Sequence, residues 1–360
     1  MTADASSNFE LNFEPSHATA PGKYLVIGPA WIGDMVMAQS LLRQLKANHP
    51  DNEVHVMAPA WTRPLLARMP EVARGIDSPF AHGEWNWRGR RRIGRELRGE
   101  GFSHAIVLPN SFKSALVPFH AGIARRTGWR GEARGLLLND CRRLDADRLP
   151  RMVDRFLALA LPADSPLPPR PPRPRLRAQP EALGQALKRL ALDPARPVLA
   201  LCPGAEYGPS KQWPAAGHAE LANRYLREGW QVWLFGSDRD SAIAGAIAAG
   251  VEPALSAGLR DLSGRTSLAE AIDLLSLAAA VVSNDSGLMH IAAALGRPLA
   301  AIYGSSSPAF TPPLADKVEW LATGIECQPC YQRECRYGHL RCLTGIAPER
   351  VAEAIESLRG

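Results

Sequence analysis

The chain repeats one pattern twice: a short apolar run, a turn rich in glycine or polar residues, then a longer segment with apolar positions at helical spacing. In the first half "KYLVIG", "VHVMAP" and "SHAIVLP" (103–109) read as buried strands. Helical segments at 35–47 and 111–123 follow the first and third. In the second half "PVLALCPG", "WQVWLFG", "AAVVSND" and "PLAAIYG" read as strands, separated by helical patterns at 215–228, 239–248, 267–278 and 287–295. Apolar strands alternating with helices predict parallel sheets covered on both faces, an α/β doubly wound architecture occurring twice. Between the halves, "PADSPLPPRPPRPRLRAQP" is too rich in proline for helix or strand and predicts a stiff linker. The expected division is a loose extension over 1–22, one domain over 23–161, the linker over 162–180 and a second domain over 181–360. Ligands of open α/β sheets lie at the carboxyl ends of the strands, so the loops there are expected to line a cleft between the domains.

Composition narrows this picture. A chain of 360 residues, 46% of them hydrophobic, can fill two cores. No apolar run reaches the roughly 18–20 residues of a membrane span. The first residues, with Asp4, Glu10 and Glu14, lack the basic start and apolar centre of a signal peptide, so a cytoplasmic protein is expected. The net charge of +6 is uneven: 23 basic against 17 acidic residues lie in 1–170, and 19 of each in 171–360. Within 85–155 there are 16 basic and 7 acidic residues, which points to an anionic partner of nucleic-acid, phospholipid or membrane-surface type. In "WNWRGRRRIGRELRG", Trp85 and Trp87 accompany six arginines. That combination suits a membrane interface, and equally an exposed helix with Ile93 and Leu97 packed inward.

Candidate chemistry sits in the turns. "GPAWIGDMVMAQ" (28–39) carries Gly28 and Gly33 but not the G-x-G-x-x-G spacing, and Asp34 would repel a phosphate there. A carboxylate at that place is either a general base or a cap for a helix starting at Met35. In "VVSNDSGLMHIAAAL" a strand ends at Asn284 and a helix starts near Ser286 and Gly287. The free N–H groups of that helix start suit a diphosphate, Gly287 permits close approach, and His290 lies one turn further on. The plainer reading is a helix capped by Asp285 or Ser286. "CPGAEYGPSKQWP" (202–214) is a polar loop whose Lys211 can neutralise charge on a leaving phosphate, or can be a surface lysine. Asp238, in "FGSDRD", lies at a strand end where acids take ribose hydroxyls. Lys113, Arg125, Arg126, Arg130 and Arg134 fall on or near strand-end loops of the first half, as an anion site or a solvated basic face. Cys327, Cys330, Cys335 and Cys342 enclose His339 with C-x2-C-x4-C-x3-H-x2-C spacing, beside Arg333, Arg336 and Arg341. In a cytosolic protein such spacing suggests metal before disulfide and makes zinc chemistry possible, but it matches no standard zinc knuckle, and reduced, metal-free thiols are expected.

Taken together, "VIGPAWIGDMVMAQSL", "VMAPAWTRPLLARMPEV", "VLPNSFKSALVPF", "TGWRGE", "CPGAEYGP", "NDSGLMHIAAAL" and "SSPAFTPPL" resemble the ADP-heptose–lipopolysaccharide heptosyltransferases of glycosyltransferase family 9. The resemblance runs from about Lys23 to the C-terminus, with a poor match over 162–195. It implies the GT-B fold, two Rossmann-like domains facing across a cleft, and an inverting transfer that needs no metal or other cofactor. The implied donor is ADP-heptose. The implied acceptor is Kdo2-lipid A bearing its first heptose, met at the anionic cytoplasmic face of the inner membrane. By position, the resemblance makes Asp34 the general base and Lys211 the diphosphate-binding lysine. It places Gly204, Glu206, Tyr207, Asp238, Asp285, Ser286, Gly287, Leu288 and His290 at the donor, and Trp31, Asn110, Ser111, Lys113, Arg126 and Arg130 at the acceptor. A nucleotide-sugar 2-epimerase shares the two-domain plan but would need acid/base groups around the donor sugar. A nucleic-acid-binding protein would need a helix-turn-helix, RRM aromatics or a zinc finger, and none is present, so no nucleic-acid partner is expected.

Overall fold

The computed structural model describes residues 20–81 and 83–359, so the extension expected over 1–22 falls outside the described residues as far as residue 19. Twelve strands form two sheets among these residues. The first contains β1 (Lys23–Ile27), β2 (Glu53–Pro59), β3 (Val72–Ser78), β4 (His104–Val107), β5 (Arg125–Trp129) and β6 (Asp140–Arg142). The second contains β7 (Val198–Cys202), β8 (Gln231–Leu234), β9 (Leu259–Asp261), β10 (Ala280–Asn284), β11 (Leu299–Ile302) and β12 (Val318–Leu321). Every pairing is parallel, and the orders are β3-β2-β1-β4-β5-β6 and β12-β11-β10-β7-β8-β9. Each sheet therefore has the doubly wound 3-2-1-4-5-6 order, with its switch point between β1 and β4 or between β7 and β10. That topology decides where chemistry can be built. The loops leaving these four strands diverge to opposite faces and leave a crevice.

The central strands are buried along their length, β7 as "VLALC" and β10 as "AVVSN", because helices cover both faces. The polar segments "VARGIDS", "DCR", "LRD" and "VEWL" also form strands, and all four lie at sheet edges. An edge strand packs on one side only, so its sequence carries no continuous apolar run. The helical segment expected at 111–123 divides into a 3-10 turn, Phe112–Ala115, and a short helix, Leu116–His120, ending before Gly122 in the left-handed region. No helix among the described residues is long and apolar enough to cross a membrane.

The proline-rich segment has neither helix nor strand between 162 and 179, as expected, but it is bound to both halves. The Arg175 N–H donates to Gln39 Oε1 at 3.0 Å, and the Leu176 N–H to the Ala294 carbonyl at 3.0 Å. Beside it, Arg68 of the first half and Asp273 of the second form a buried pair, with Nε–Oδ1 2.9 Å and Nη2–Oδ2 2.5 Å. Their side chains are 2% and 1% exposed, so the pair stands within the joint itself. One hydrophobic cluster runs from Met35 and Leu41 through Leu176 to Met289 and Ile291, so the two halves share apolar contact beneath the cleft.

Candidate active site

The turn after β1 opens the helix Ile32–Asn48, with Trp31 as N-cap residue making no side-chain cap bond. Asp34 is thus in the first turn, not before it, and the cap role considered for it is excluded by position. The turn faces its counterpart after β10, where Ser286 precedes the helix Gly287–Ala294. The two helix starts are nearly in contact. A Cβ on Gly287 would stand 2.9 Å from the Ile32 Cβ, and one on Gly33 would stand 2.8 Å from the His290 ring. Both positions require glycine because of this approach, whatever their dihedral angles. Burial, reinforced by the nearby Asp285 carboxylate and opposed by Lys211, pushes Asp34 from 3.8 up to about 6. A carboxylate poised there is ionised at neutral pH yet basic enough to take a proton. His290 is 4% exposed and burial pushes it down to about 4, so at neutral pH it is a neutral ring packed beneath Gly33.

Lys211 reaches the same place from the loop after β7. Its Nζ lies 2.6 Å from Asp285 Oδ2, which also accepts from Ser306 Oγ at 2.5 Å, and 5.0 Å from the Tyr207 ring centre. The loop is held by Asn284, whose Oδ1 accepts from the Trp213 N–H at 3.1 Å and whose Nδ2 donates to the Pro203 carbonyl at 2.6 Å. Ser306 and Asn284 belong to this arrangement, and only their places, Asn284 at the end of β10 and Ser306 in the loop after β11, could have marked them in the sequence. Ser286 makes no cap bond, so the N–H groups of Gly287 and Leu288 at the helix start have no side-chain cap.

Further along the same sheet edge, Glu206 pairs with Arg239, and Asp238 is exposed beside Gly264, where a Cβ would stand 2.0 Å from Asp238 Oδ1. The acid packed into this corner is the half-buried Asp240, not the exposed Asp238. Its Oδ2 accepts from the Ser237 N–H and hydroxyl, both at 2.8 Å, and its carboxylate fills the space beside Gly204 and Gly236.

On the other side of Asp34 a cavity of about 490 Å³ opens within the first domain. Trp31, Asn110, Ser111 and Lys113 line it together with Asp34, so the structure gathers these four expected residues. Arg90, Arg155, Trp61, Phe80 and Trp129 line it too. Arg90, one of the six arginines of the 85–99 segment, is buried rather than exposed at a membrane-facing surface. It donates to the Trp85 carbonyl at 2.8 Å and the Glu84 carbonyl at 3.0 Å and lies over the Phe80 ring.

Two expected acceptor residues are elsewhere. Arg126 lies near the amino end of β5, away from the crevice, and its guanidinium donates to the carbonyls of Leu137 (2.7 Å) and Ile123 (2.5 Å). Arg130 is exposed and borders a separate shallow depression with Glu132 and Leu136. Arg134 is fully buried, donating to the Trp129 carbonyl at 2.6 Å and to Asn110 Oδ1 at 3.0 Å. It is a brace for the Asn110 loop, not part of a solvated basic face. Alternating strands and helices fix which loops meet, but not which arginine on a strand turns toward the crevice.

Two 3-2-1-4-5-6 sheets, apposed through the helices that start at Ile32 and Gly287 and with candidate chemistry at both switch points, make the GT-B architecture. The glycosyltransferase family 9 (heptosyltransferase) profile matches residues 90–341. Lipopolysaccharide heptosyltransferase 2 of Salmonella typhimurium is 47% identical over 341 residues, covering 93% of this chain and 98% of its own length. The solved E. coli ADP-heptose LPS heptosyltransferase II is 46% identical with a TM-score of 0.83, over 94% of this chain and 98% of that one. The E. coli heptosyltransferase WaaC with ADP shares the fold at 20% identity and a TM-score of 0.69, over 93% and 99%. The chain belongs to the family 9 heptosyltransferases.

Proposed function

We propose that this heptosyltransferase transfers L-glycero-D-manno-heptose from ADP-heptose to the first heptose of the lipopolysaccharide inner core, the heptosyltransferase II reaction. The observation that carries the reading is the position of Asp34. It borders the first-domain cavity on one side and the Lys211–Asp285 pair on the other. The acceptor heptose enters the cavity, and Asp34 takes the proton from its attacking hydroxyl. The sugar is attacked on the face opposite the departing ADP, which inverts the anomeric centre. Lys211 and the N–H groups at the start of Gly287–Ala294 receive the diphosphate as its charge grows. Asp285 holds Lys211 in place through its 2.6 Å contact. Asp238, Glu206 and Tyr207 lie on the rim where the nucleoside would rest. Lys113 and Arg155 supply positive charge in the cavity for an anionic acceptor.

The same reading has the enzyme work on the cytoplasmic face of the inner membrane, touching it through the rim of the first domain. Trp85 and Trp87 are 55% and 42% exposed there, beside the exposed Arg88, Arg92, Arg95 and Arg98. Anionic headgroups suit that surface. Transfer from ADP-heptose should require Kdo2-lipid A that already bears one heptose. Equal or faster transfer to Kdo2-lipid A without it would replace this proposal with the heptosyltransferase I reaction.

A further inference from the structure

Residues 322–340 contain neither helix nor strand, an unusually long irregular segment for a compact domain. Loops of this length without internal structure need an anchor. Folding brings Cys327, Cys330, Cys335 and Cys342, separated in the chain, to the wall of one cavity of about 20 Å³. That is room for a single water or ion. All four are free thiols. The arm bearing Cys327 and Cys330 is fixed by Gln328 between them. Gln328 Nε2 donates to the Tyr303 and Gly304 carbonyls at 2.8 Å each, and its Oε1 accepts from the Thr323 hydroxyl at 3.0 Å and the Gly324 N–H at 2.9 Å. Cys335 opens a tight turn in which the Gly338 N–H donates to the Cys335 carbonyl at 2.9 Å. Cys342 is buried in the short helix Arg341–Thr344.

His339 also borders the cavity, but its Nδ1 accepts from the Arg341 N–H at 3.0 Å. The ring proton is then on Nε2, which leaves the imidazole no lone pair to offer. The donor set is therefore four sulfurs, and soft thiolates select zinc or another thiophilic divalent ion.

We propose that Cys327, Cys330, Cys335 and Cys342 form a tetrathiolate site for one such ion, with zinc as the first choice, and that the ion fastens the loop carrying Lys211. The fastening is direct. The Ser210 N–H donates to the Arg333 carbonyl at 3.2 Å, the Tyr331 N–H to the Ser305 carbonyl at 2.7 Å, and the Ser305 N–H to the Ser210 carbonyl at 3.1 Å. At Gly208 a Cβ would stand 2.5 Å from the Arg333 carbonyl oxygen, so the two loops are in contact along their backbones. Among the described residues no three Cys, His, Asp or Glu side chains already stand as a metal-holding group, so binding must draw the sulfurs inward. Four thiols release four protons to solvent as the ion binds, and the complex carries a charge of −2 that Arg333, Arg336 and Arg341 of the same loop offset. The spacing makes zinc chemistry possible but matches no standard zinc knuckle, and by itself leaves metal-free thiols as the expectation. The shared cavity does.

The test uses the full-length protein, purified reduced and without chelator. It should hold one zinc per chain by elemental analysis. Replacement with cobalt should give the intense thiolate-to-cobalt charge-transfer absorption and the visible bands of a tetrahedral ion. Cys330→Ser and Cys335→Ser, at half-buried positions, should weaken metal affinity by more than the roughly 10–100-fold that losing an outer-shell partner of a ligand costs, while Cys141→Ser should leave it unchanged. Removing the ion should weaken ADP binding several-fold, because the Lys211 loop loses its anchor. Reduced protein that takes up neither zinc nor cobalt overturns the site. Metal removal that leaves ADP affinity unchanged overturns the link to the donor loop. Metal content is read without donor or acceptor, so failure of the heptosyl-transfer reading would not alter it.

Discussion

Replacing Asp34 with asparagine keeps the shape of the first helical turn and removes the proposed base, the one carboxylate among the described residues that line the cavity. Two effects of opposite sign are expected. The first is on rate: loss of a positioned base lowers kcat by roughly 10²–10⁴. The second is on stability. Asp34 moves from 3.8 in the unfolded chain to about 6 in the fold, mainly through burial. Below pH 3.8 both states are protonated and nothing is lost. As pH rises, the unfolded chain ionises first, so folding loses free energy until the folded carboxyl ionises near pH 6, above which the loss is constant. Its size at neutral pH is about 2–3 kcal/mol. Asp34→Asn, neutral in both states, should therefore melt a few degrees higher than wild type at pH 7.5, with the gain shrinking as pH falls toward 4. In the wild-type enzyme the same ionisation should appear as an acid limb in kcat/KM near pH 6, falling tenfold per pH unit below it. Single-turnover transfer, thermal melts at several pH values and the pH–rate profile measure all three. A variant that turns over near the wild-type rate, or melts lower at neutral pH, would refute the assignment of Asp34 as a buried base.

Lys211→Ala should lower kcat by about 10²–10³ while changing ADP affinity less. A normal kcat with a raised donor KM would show that Lys211 only binds the ground state. Arg68→Ala leaves Asp273 charged and unpaired inside the joint and should cost about 3–5 kcal/mol in denaturant unfolding, whereas Arg68→Met with Asp273→Leu should recover most of it. A loss below about 1 kcal/mol for the single variant would mean that water reaches the pair. Arg88, Arg92 and Arg95 changed together to serine should weaken sedimentation with anionic vesicles, each arginine being worth about 1 kcal/mol near such a surface. Arg90 must be left in place, because it braces the cavity wall. Equal sedimentation of variant and wild type would remove membrane contact from the proposal.

The alternation of apolar runs with helical patterns was enough, by itself, to predict two doubly wound parallel sheets. The short list of turns where chemistry could stand was also legible, since switch-point loops follow from strand order and Asp34, Lys211 and Asp285 fall in the segments that follow β1, β7 and β10. The polar strands β3, β6, β9 and β12 were not legible, because an edge strand needs no apolar run on its open side, and neither was the interior strand β5, whose "RRTGW" begins with two arginines expected on or near strand-end loops. Neither was the sorting of the arginines. Arg90, Arg126 and Arg134 look alike in sequence, yet each is consumed by backbone carbonyls that only the folded chain brings within reach. The pairing of Arg68 with Asp273 across 205 residues, and the gathering of four cysteines about one cavity, depend on how the two halves and their loops close. Local pattern reports which face of an element is buried. It carries no record of what that face is buried against, and charge, proton affinity and ligand geometry are decided by that neighbour.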